Sequence, residues 1–169
     1  PPVNPPDRPA PETLAIDGGE ALAEARLQLL RGARRRVAIY QPALPADAYN
    51  HAAELDELRR IATSGRGAEI RILLHDAAAA LRDSHRLVAL AQRLPSSVLV
   101  REPVEDADRA YGSACLLTDA GGYLFLPEAG RSRGRASFED RASQAPLQQY
   151  FQEVWERAAR ATVLQPLDL

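Results

Sequence analysis

Two of the three histidines stand where they could move a proton or bind a metal ion. His75 is followed directly by Asp76, and His85 comes two residues after Asp83. A metal centre needs further ligands at a fixed spacing, and the remaining histidine, His51, has no recognised metal spacing to either pair. The sequence therefore predicts no metal site and no cofactor. It leaves open acid–base chemistry by His75 or His85 with a nearby carboxylate.

His75 is also a candidate ligand contact because of its place in the predicted sheet. It follows the apolar run 70–74, and Gln41 follows the neighbouring run 37–40. Open α/β sheets bind ligands at the carboxyl ends of their strands. We therefore predict that His75 and Gln41 touch a ligand. The alternative is that Asp76 caps the next helix and His75 is an ordinary surface residue.

An arginine-rich segment is the main candidate for binding an anion. In residues 130–137, G-R-S-R-G-R-A-S, the arginines Arg131, Arg133 and Arg135 alternate with small residues. Guanidinium groups bind phosphate through paired hydrogen bonds. We predict a flexible loop that contacts a phosphate-bearing ligand. The alternative is a solvated loop neutralised by nearby acidic residues, which are Glu128, Glu139 and Asp140.

Composition narrows the class of protein. The chain has 169 residues, 46% hydrophobic and 26% charged, with a formal net charge of −2. These values are typical of one soluble domain, and the charge argues against a protein that coats nucleic acid. The chain has no lysine, a usage typical of GC-rich bacterial genomes, so a Walker-type phosphate loop and Schiff-base chemistry are excluded. The single cysteine, Cys115, lies in an apolar run and indicates a core residue in a reducing, cytoplasmic setting.

Hydrophobic periodicity predicts alternating strands and helices. Residues 1–12 are a proline-rich tail or linker, and residues 13–169 form one domain. Asp17, Asp47 and Asp76 are predicted caps of the first three helices. The predicted helices end near residues 31, 63, 94 and 161, the third spans residues 77–94 and includes His85, and the last begins at residue 147. Strands are predicted at residues 13–16, 37–40, 70–74, 97–100, 113–118 and 123–126, with an edge strand at 162–164. This order predicts an α/β/α sandwich with a mixed, mainly parallel sheet.

Three motifs in this order resemble one half of the phospholipase D-like superfamily. They are the strand–helix–strand unit at residues 37–74, whose second strand is approached by G-R-G-A-E-I-R-I-L-L at residues 65–74; the hairpin whose turn is D-A-G-G at residues 119–122; and the helix L-Q-Q-Y-F-Q-E-V-W at residues 147–155. The resemblance covers residues 13–161. It implies a half-domain that pairs with a second half to complete one site.

The catalytic motif of that superfamily, H-x-K-x-x-x-x-D, is degenerate here. With Asp119 as its aspartate, Gly112 takes the histidine position and Ala114 the lysine position. A shift of one residue would place Tyr111 and Ser113 there instead. Neither pair supplies a nucleophile for phosphorus and a cation for the phosphate.

The resemblance therefore implies a non-catalytic binding or assembly module. It is expected to form a homodimer or to pair with a fused or partner domain, and to bind nucleic acid weakly at best. The competing hypothesis is a phosphoester hydrolase that uses His75 or His85 with nearby carboxylates. A receiver-like regulatory domain is a third possibility, but its expected acidic cluster and lysine are absent.

Overall fold

The computed structural model describes residues 12–165, so the predicted tail lies outside the described residues except for its last position. The strands are β1 (Leu14–Asp17), β2 (Arg36–Tyr40), β3 (Glu69–Leu73), β4 (Val98–Glu102), β5 (Ala114–Thr118), β6 (Tyr123–Leu126), β7 (Arg133–Ser137) and β8 (Ala159–Arg160). The helices are α1 (Gly19–Gly32), α2 (Ala52–Ala62), α3 (Ala77–Arg82), α4 (Arg86–Arg93), α5 (Asp106–Arg109) and α6 (Arg141–Arg157). None of these helices is long and apolar enough to cross a membrane.

The strands form one mixed sheet in the order β1-β7-β6-β5-β2-β3-β4-β8. The predicted α/β fold with a mixed sheet is confirmed. Only the β2–β3 and β3–β4 pairs are parallel, so the sheet has fewer parallel pairs than predicted. The difference arises because the predicted hairpin, β5 and β6, is extended by β7 and then by β1, all in antiparallel pairs.

Successive side chains of each strand point to opposite faces of the sheet, and each face packs in its own hydrophobic core. Val37 and Ile39 of β2 belong to the larger core, under α1 to α4. Ala38 and Tyr40 belong to the smaller core, under α6. Because both faces bury apolar side chains, the central strands read as continuous apolar runs, and the layers are α/β/α as predicted.

The predicted helix over residues 77–94 is two helices. The Asp76 carboxylate caps α3 as predicted, accepting the Ala79 N–H at 3.0 Å. Helix α3 then ends, Ser84 takes φ 54°, and His85 becomes the N-cap of α4. The break coincides with tertiary contacts, since His85 Nε2 lies within hydrogen-bond distance of the Pro45 and Ala48 carbonyl oxygens.

Two other predicted caps are wrong. Helix α1 has Gly18 as its N-cap residue and no side-chain cap, so Asp17 does not serve. Helix α2 begins at Ala52, because the segment after Asp47 turns inward and buries Tyr49 instead of entering a helix. Helix α6 starts before the predicted position, where Asp140 caps it by accepting the Ser143 N–H at 3.1 Å.

Two predicted segments take a different structure. Most of the arginine-rich segment is not a loop but β7, between β6 and β1. Gly134 lets β7 approach β6, because a Cβ there would collide with the Phe125 carbonyl oxygen. Thr162–Leu164 is a short 3-10 helix, and the edge strand is the two-residue β8 instead.

Candidate functional site

One end of the central strands contains the carboxyl ends of β2 and β3 and the beginning of β5. We call this end of the sheet the upper edge. Strand β5 runs antiparallel to β2, with Cys115 opposite Tyr40. The His75 N–H donates to the Pro42 carbonyl oxygen at 2.9 Å. The upper edge therefore brings together the ends of the strands that carry His75 and Gln41 and the start of the degenerate motif.

His75 is held in place by a short hydrogen-bond chain. Its Nε2 lies 3.1 Å from the Tyr40 hydroxyl, which donates to the Asp108 carbonyl oxygen at 3.2 Å. Since the phenol has one proton, the chain is satisfied when His75 Nε2–H donates to Tyr40. Burial and the nearby Arg109 charge lower the pKa of His75, against an opposing effect of Asp108. The imidazole is therefore neutral at pH 7.

Asp108 is fixed by an ion pair that the sequence did not reveal. The carboxylate is 2% exposed and accepts from Arg157 Nε at 2.6 Å and Nη2 at 2.7 Å. These hydrogen bonds hold the pKa of Asp108 below its ordinary value, although burial acts in the opposite direction. The two residues are 49 positions apart, so no local pattern indicates their contact.

Aromatic side chains fill the α6 side of the upper edge. The Tyr111 ring lies 4.9 Å from that of Tyr40 and 4.7 Å from that of Tyr150, and Phe151 meets Tyr40 edge-on at 6.4 Å. Burial raises the pKa of all three tyrosines, so their phenols are neutral. Neutral phenols and a neutral imidazole offer hydrogen bonds but no charge to a phosphoryl group.

The two degenerate motif positions have opposite environments. Gly112 is exposed, and a Cβ added there would meet no atom within 4 Å. Ala114 is 2% exposed and is part of the core under α1 to α4. A lysine at position 114 would need to place its ammonium group in or through this core, at a large desolvation cost. The core packing around Ala114 is therefore incompatible with a lysine side chain at this position.

Asp119, the remaining motif residue, anchors the chain at the opposite, lower edge of the sheet. Its Oδ1 accepts the Arg34 N–H at 2.8 Å, and its Oδ2 accepts the N–H groups of Arg35 at 2.8 Å and Arg36 at 3.2 Å. Partial burial alone would raise the pKa of Asp119, but these amide donors outweigh it and the pKa lies below its ordinary value. Asp119 therefore fixes the entry of the chain into β2.

We expect Asp119→Ala to lower the free energy of unfolding by about 1–2 kcal/mol, because three amides lose a charged acceptor in a partly solvated site. Denaturant unfolding at pH 7 measures the change. Asp56→Ala is the matched control: this carboxylate is 75% exposed and pairs with Arg59 at 3.5 Å, so its loss should cost under about 1 kcal/mol. Equal stability of the Asp119 variant and the parent would contradict the anchor role.

The predicted anion-binding arginines do not meet His75 or Gln41. Strands β5 and β6 separate β7 from β2. These arginine side chains also have partners within the domain. Arg131 pairs with Glu128 at 2.8 Å, Arg133 pairs with Asp17 at 3.5 Å, and Arg135 lies over the Phe125 ring at 4.6 Å. The predicted shared site is therefore divided between two places, and anion binding by these arginines stays a prediction.

Gln41 lies at the upper edge as predicted. Its backbone N–H donates to the Leu73 carbonyl oxygen at 3.0 Å, continuing the β2–β3 pairing. The residue is 5% exposed. Its ligand contact, like that of His75, stays a prediction.

His85 is a buried structural residue. Its Nδ1 accepts the Leu87 N–H at 3.1 Å, which places the ring proton on Nε2. That nitrogen then donates to the carbonyl oxygens of Ala48 at 3.0 Å and Pro45 at 3.1 Å. The residue is 3% exposed and both ring nitrogens are hydrogen-bonded. Because His85 is the N-cap of α4, its predicted position in the middle of a helix is wrong. No ring nitrogen is available for acid–base catalysis.

The buried imidazoles predict a loss of stability in mild acid. Burial lowers the pKa of His85 although hydrogen bonds to Pro45 and Ala48 and the charges of Asp83 and Glu54 oppose it, and burial lowers the pKa of His75. The unfolded chain binds these protons near pH 6.5. Their contribution to stability is therefore full above pH 6.5 and is lost as pH falls through the lowered folded-state values.

Denaturant unfolding at pH 7.5, 6.5 and 5.5 measures this loss. We expect His85→Gln to show a weaker dependence on pH than the parent, by roughly 1 kcal/mol over this range. His51→Gln replaces an exposed histidine at a helix N-cap position and is the matched control variant. Parallel curves for all three proteins would contradict this assignment.

Metal-ligating and thiol chemistry find little support in the described part of the chain. No group of three or more His, Cys, Asp or Glu side chains in residues 12–165 is placed to hold a metal ion. Cys115 is buried, as predicted, and burial raises the pKa of its thiol to about 12. It is therefore an unreactive core residue at neutral pH.

Comparison with solved structures supports the fold. Nuc from Salmonella typhimurium, described as a phospholipase D family member, superposes with a TM-score of 0.60 at 10% identity, over 89% of this chain and 97% of Nuc. NucT from Helicobacter pylori gives 0.56 at 12% identity, over 88% and 97% of the two chains. TrmBL2, described as an archaeal chromatin protein with a novel mode of DNA binding, gives 0.64 at 14% identity over 95% of this chain. The present chain spans 58% of TrmBL2.

Sequence comparison identifies the family. No curated protein matches the chain. One family model, described as a domain of unknown function (DUF7931), matches residues 19–167. The predicted phospholipase D-like fold is confirmed by the structural neighbours, and the chain belongs to the DUF7931 family.

Proposed function

We propose that this domain is a non-catalytic phospholipase D-like module that acts by binding or assembly. The observation that carries the proposal is the packing of Ala114. A catalytic member needs a nucleophile and a cation side by side at the beginning of β5. Here Gly112 has no side chain and Ala114 is sealed in the larger core.

The competing hypothesis, a hydrolase that uses a histidine, has weaker support. Both nitrogens of His85 bond to the backbone inside the protein. His75 has one nitrogen on Tyr40 and is neutral by burial, and Asp108, whose charge acts on it, is engaged by Arg157. The Tyr40 hydroxyl that holds His75 is itself neutral, so this pair supplies no charge to a phosphoryl transition state.

A chromogenic phosphodiester tests the proposal. Purified protein in chelator should release no nitrophenolate above the buffer rate. His75→Ala should behave in the same way. Turnover by the parent that His75→Ala abolishes would contradict the proposal and establish the hydrolase.

A binding role has a parallel among the structural neighbours. TrmBL2 is described by its mode of DNA binding, and it contains a region of this fold. The same scaffold thus occurs in a protein described by its DNA binding and in Nuc, which is described as a phospholipase D family member.

We also propose that the domain assembles as a symmetric homodimer. Strand β1 ends the sheet on one side, and the two-residue β8 leaves much of β4 uncovered on the other. Unpaired strand edges are surfaces that proteins cover by pairing. Light scattering at high protein concentration should give twice the mass of the chain. A monomer mass there would contradict the proposal.

A further inference from the structure

Five exposed arginines lie together at the lower edge of the sheet. They come from the start of β2, the loop before β3 and the first residue of α6, and they are Arg34, Arg35, Arg36, Arg66 and Arg141. We call this group the lower arginine patch. None of its members forms a salt bridge with a carboxylate of residues 12–165.

Backbone contacts join the three segments of the patch. The Asp119 carboxylate binds the consecutive amides of residues 34–36. The Arg141 Nη2 donates to the Asp119 carbonyl oxygen at 3.1 Å, and the Arg35 Nη1 donates to the Arg66 carbonyl oxygen at 3.4 Å. The arginines therefore stand on a fixed framework and need little backbone ordering to bind a ligand.

Two carboxylates beside the patch, Asp119 and Glu69, are already engaged. Asp119 accepts three amide hydrogen bonds, and Glu69 pairs with Arg71 at 3.0 Å. Two exposed acidic residues, Glu105 and Asp106, follow β4 at the upper edge. The net charge of −2 therefore does not describe the lower edge, where the clustered arginines attract anions.

We propose that the lower arginine patch binds the phosphodiester backbone of nucleic acid. Five guanidinium groups on one framework match a ligand with repeated phosphates better than a ligand with one phosphate. A groove beside α6 shares Arg36 with the patch and is also lined by Arg71, Gln148 and Gln152 and by the already engaged carboxylates Glu69 and Asp119. Side-chain amides there can bond to phosphate and sugar oxygens, the usual targets of contacts that set register.

A lipid headgroup surface fits the patch less well. Binding flat on a membrane requires a broad apolar face beside the charges. The exposed large hydrophobic residues of the described chain are Val104, Phe138 and Val163. Of these, Phe138 lies near the patch, two residues before the Asp140 cap of α6. One aromatic side chain does not make an apolar face.

This proposal names nucleic acid as the partner of the binding module. It rests on the proposed function only in assuming that the domain acts by binding. A catalytic upper edge would leave the lower patch unchanged. It also moves the basic contact away from Arg131, Arg133 and Arg135, which the sequence indicated, and it predicts firmer binding than the net charge suggested.

Fluorescence polarisation with labelled 20-nucleotide single strands and 20-base-pair duplexes tests the proposal at several salt concentrations. The test variant is the triple change Arg34→Gln, Arg36→Gln and Arg141→Gln, which spares the backbone amides that hold Asp119. We expect at least a tenfold loss of affinity and a shallower salt dependence, since each lost phosphate contact removes about 0.7–0.9 from the slope. The two probes show whether single or paired strands are preferred.

Two matched variants carry the same change of charge. One replaces Arg82, Arg86 and Arg93 on α3 and α4 by glutamine, and the other replaces Arg131, Arg133 and Arg135. The first should bind like the parent, the second should lose less affinity than the lower-patch variant, and circular dichroism should show all variants folded. The proposal would be overturned if the parent bound neither probe at low salt. It would also be overturned if the lower-patch variant bound as well as the parent, or if all three variants lost affinity equally. Preference for vesicles of anionic phospholipid over both oligonucleotides would overturn it too.

Discussion

Glu54→Gln is expected to lower the free energy of unfolding by about 3–5 kcal/mol, one of the two largest effects that the structure predicts. Glu54 Oε1 accepts from Arg26 Nη1 at 3.1 Å, with the two side chains 4% and 6% exposed. Its Oε2 accepts the Tyr49 N–H at 2.7 Å, where the backbone has φ 54°. Glutamine would leave the Arg26 charge buried without a counter-charge.

A variant on the same helix provides the control. Glu57 pairs with Arg60 at 2.8 Å but is partly solvated, so Glu57→Gln should cost less than about 1 kcal/mol. Thermal unfolding should separate the two by about 6–20 °C in a domain of this size. If both variants melt together, the buried pair does not hold the segment between β2 and α2.

Ala114→Lys is expected to destabilise the domain by a similar amount, about 3–5 kcal/mol. The lysine would restore the residue type of the catalytic motif, yet its stem would displace core side chains and its ammonium group would lose water. The expected result is a protein that unfolds at much lower denaturant concentration and gains no phosphodiesterase activity.

Gly112→His is the companion variant at the other motif position. Because a side chain there enters open space, stability should change by no more than about 0.5 kcal/mol. A stable double variant carrying both residues, with new phosphodiesterase activity, would show that the site is only missing two side chains. That result would contradict the closure of the site by packing.

The sequence predicts the fold well because the relevant signals are local. The buried strands β2 and β3 are continuous apolar runs, and the turn between β5 and β6 carries Gly121, which takes φ 88°. The capping of α3 by Asp76 was also predictable from the sequence. The limits of helices were less predictable, because tertiary contacts decide them: Tyr49 turns inward to Glu54 and delays α2, and His85 bonds to Pro45 and Ala48 and divides the helix around it.

The candidate sites were less predictable from the sequence for the same reason. His75 and Gln41 reached the predicted edge, since strand order places them there. The pairing of Asp108 with Arg157 and of Glu54 with Arg26 joins residues far apart in the chain, which no spacing indicates. The alternation of Arg131, Arg133 and Arg135 was interpreted as a loop, although a period of two is also the period of a strand. The members of the lower arginine patch come from three separate segments of the chain, so no spacing in the sequence groups them.

The most direct test of the central claim is a single-turnover experiment with protein in excess over an end-labelled DNA strand, followed by polarisation and by denaturing gel. The account predicts that the strand is bound and recovered at full length, in chelator and with added magnesium, for both the parent and His75→Ala. Cleavage by the parent that disappears in His75→Ala would contradict a non-catalytic module, whatever the strength of binding.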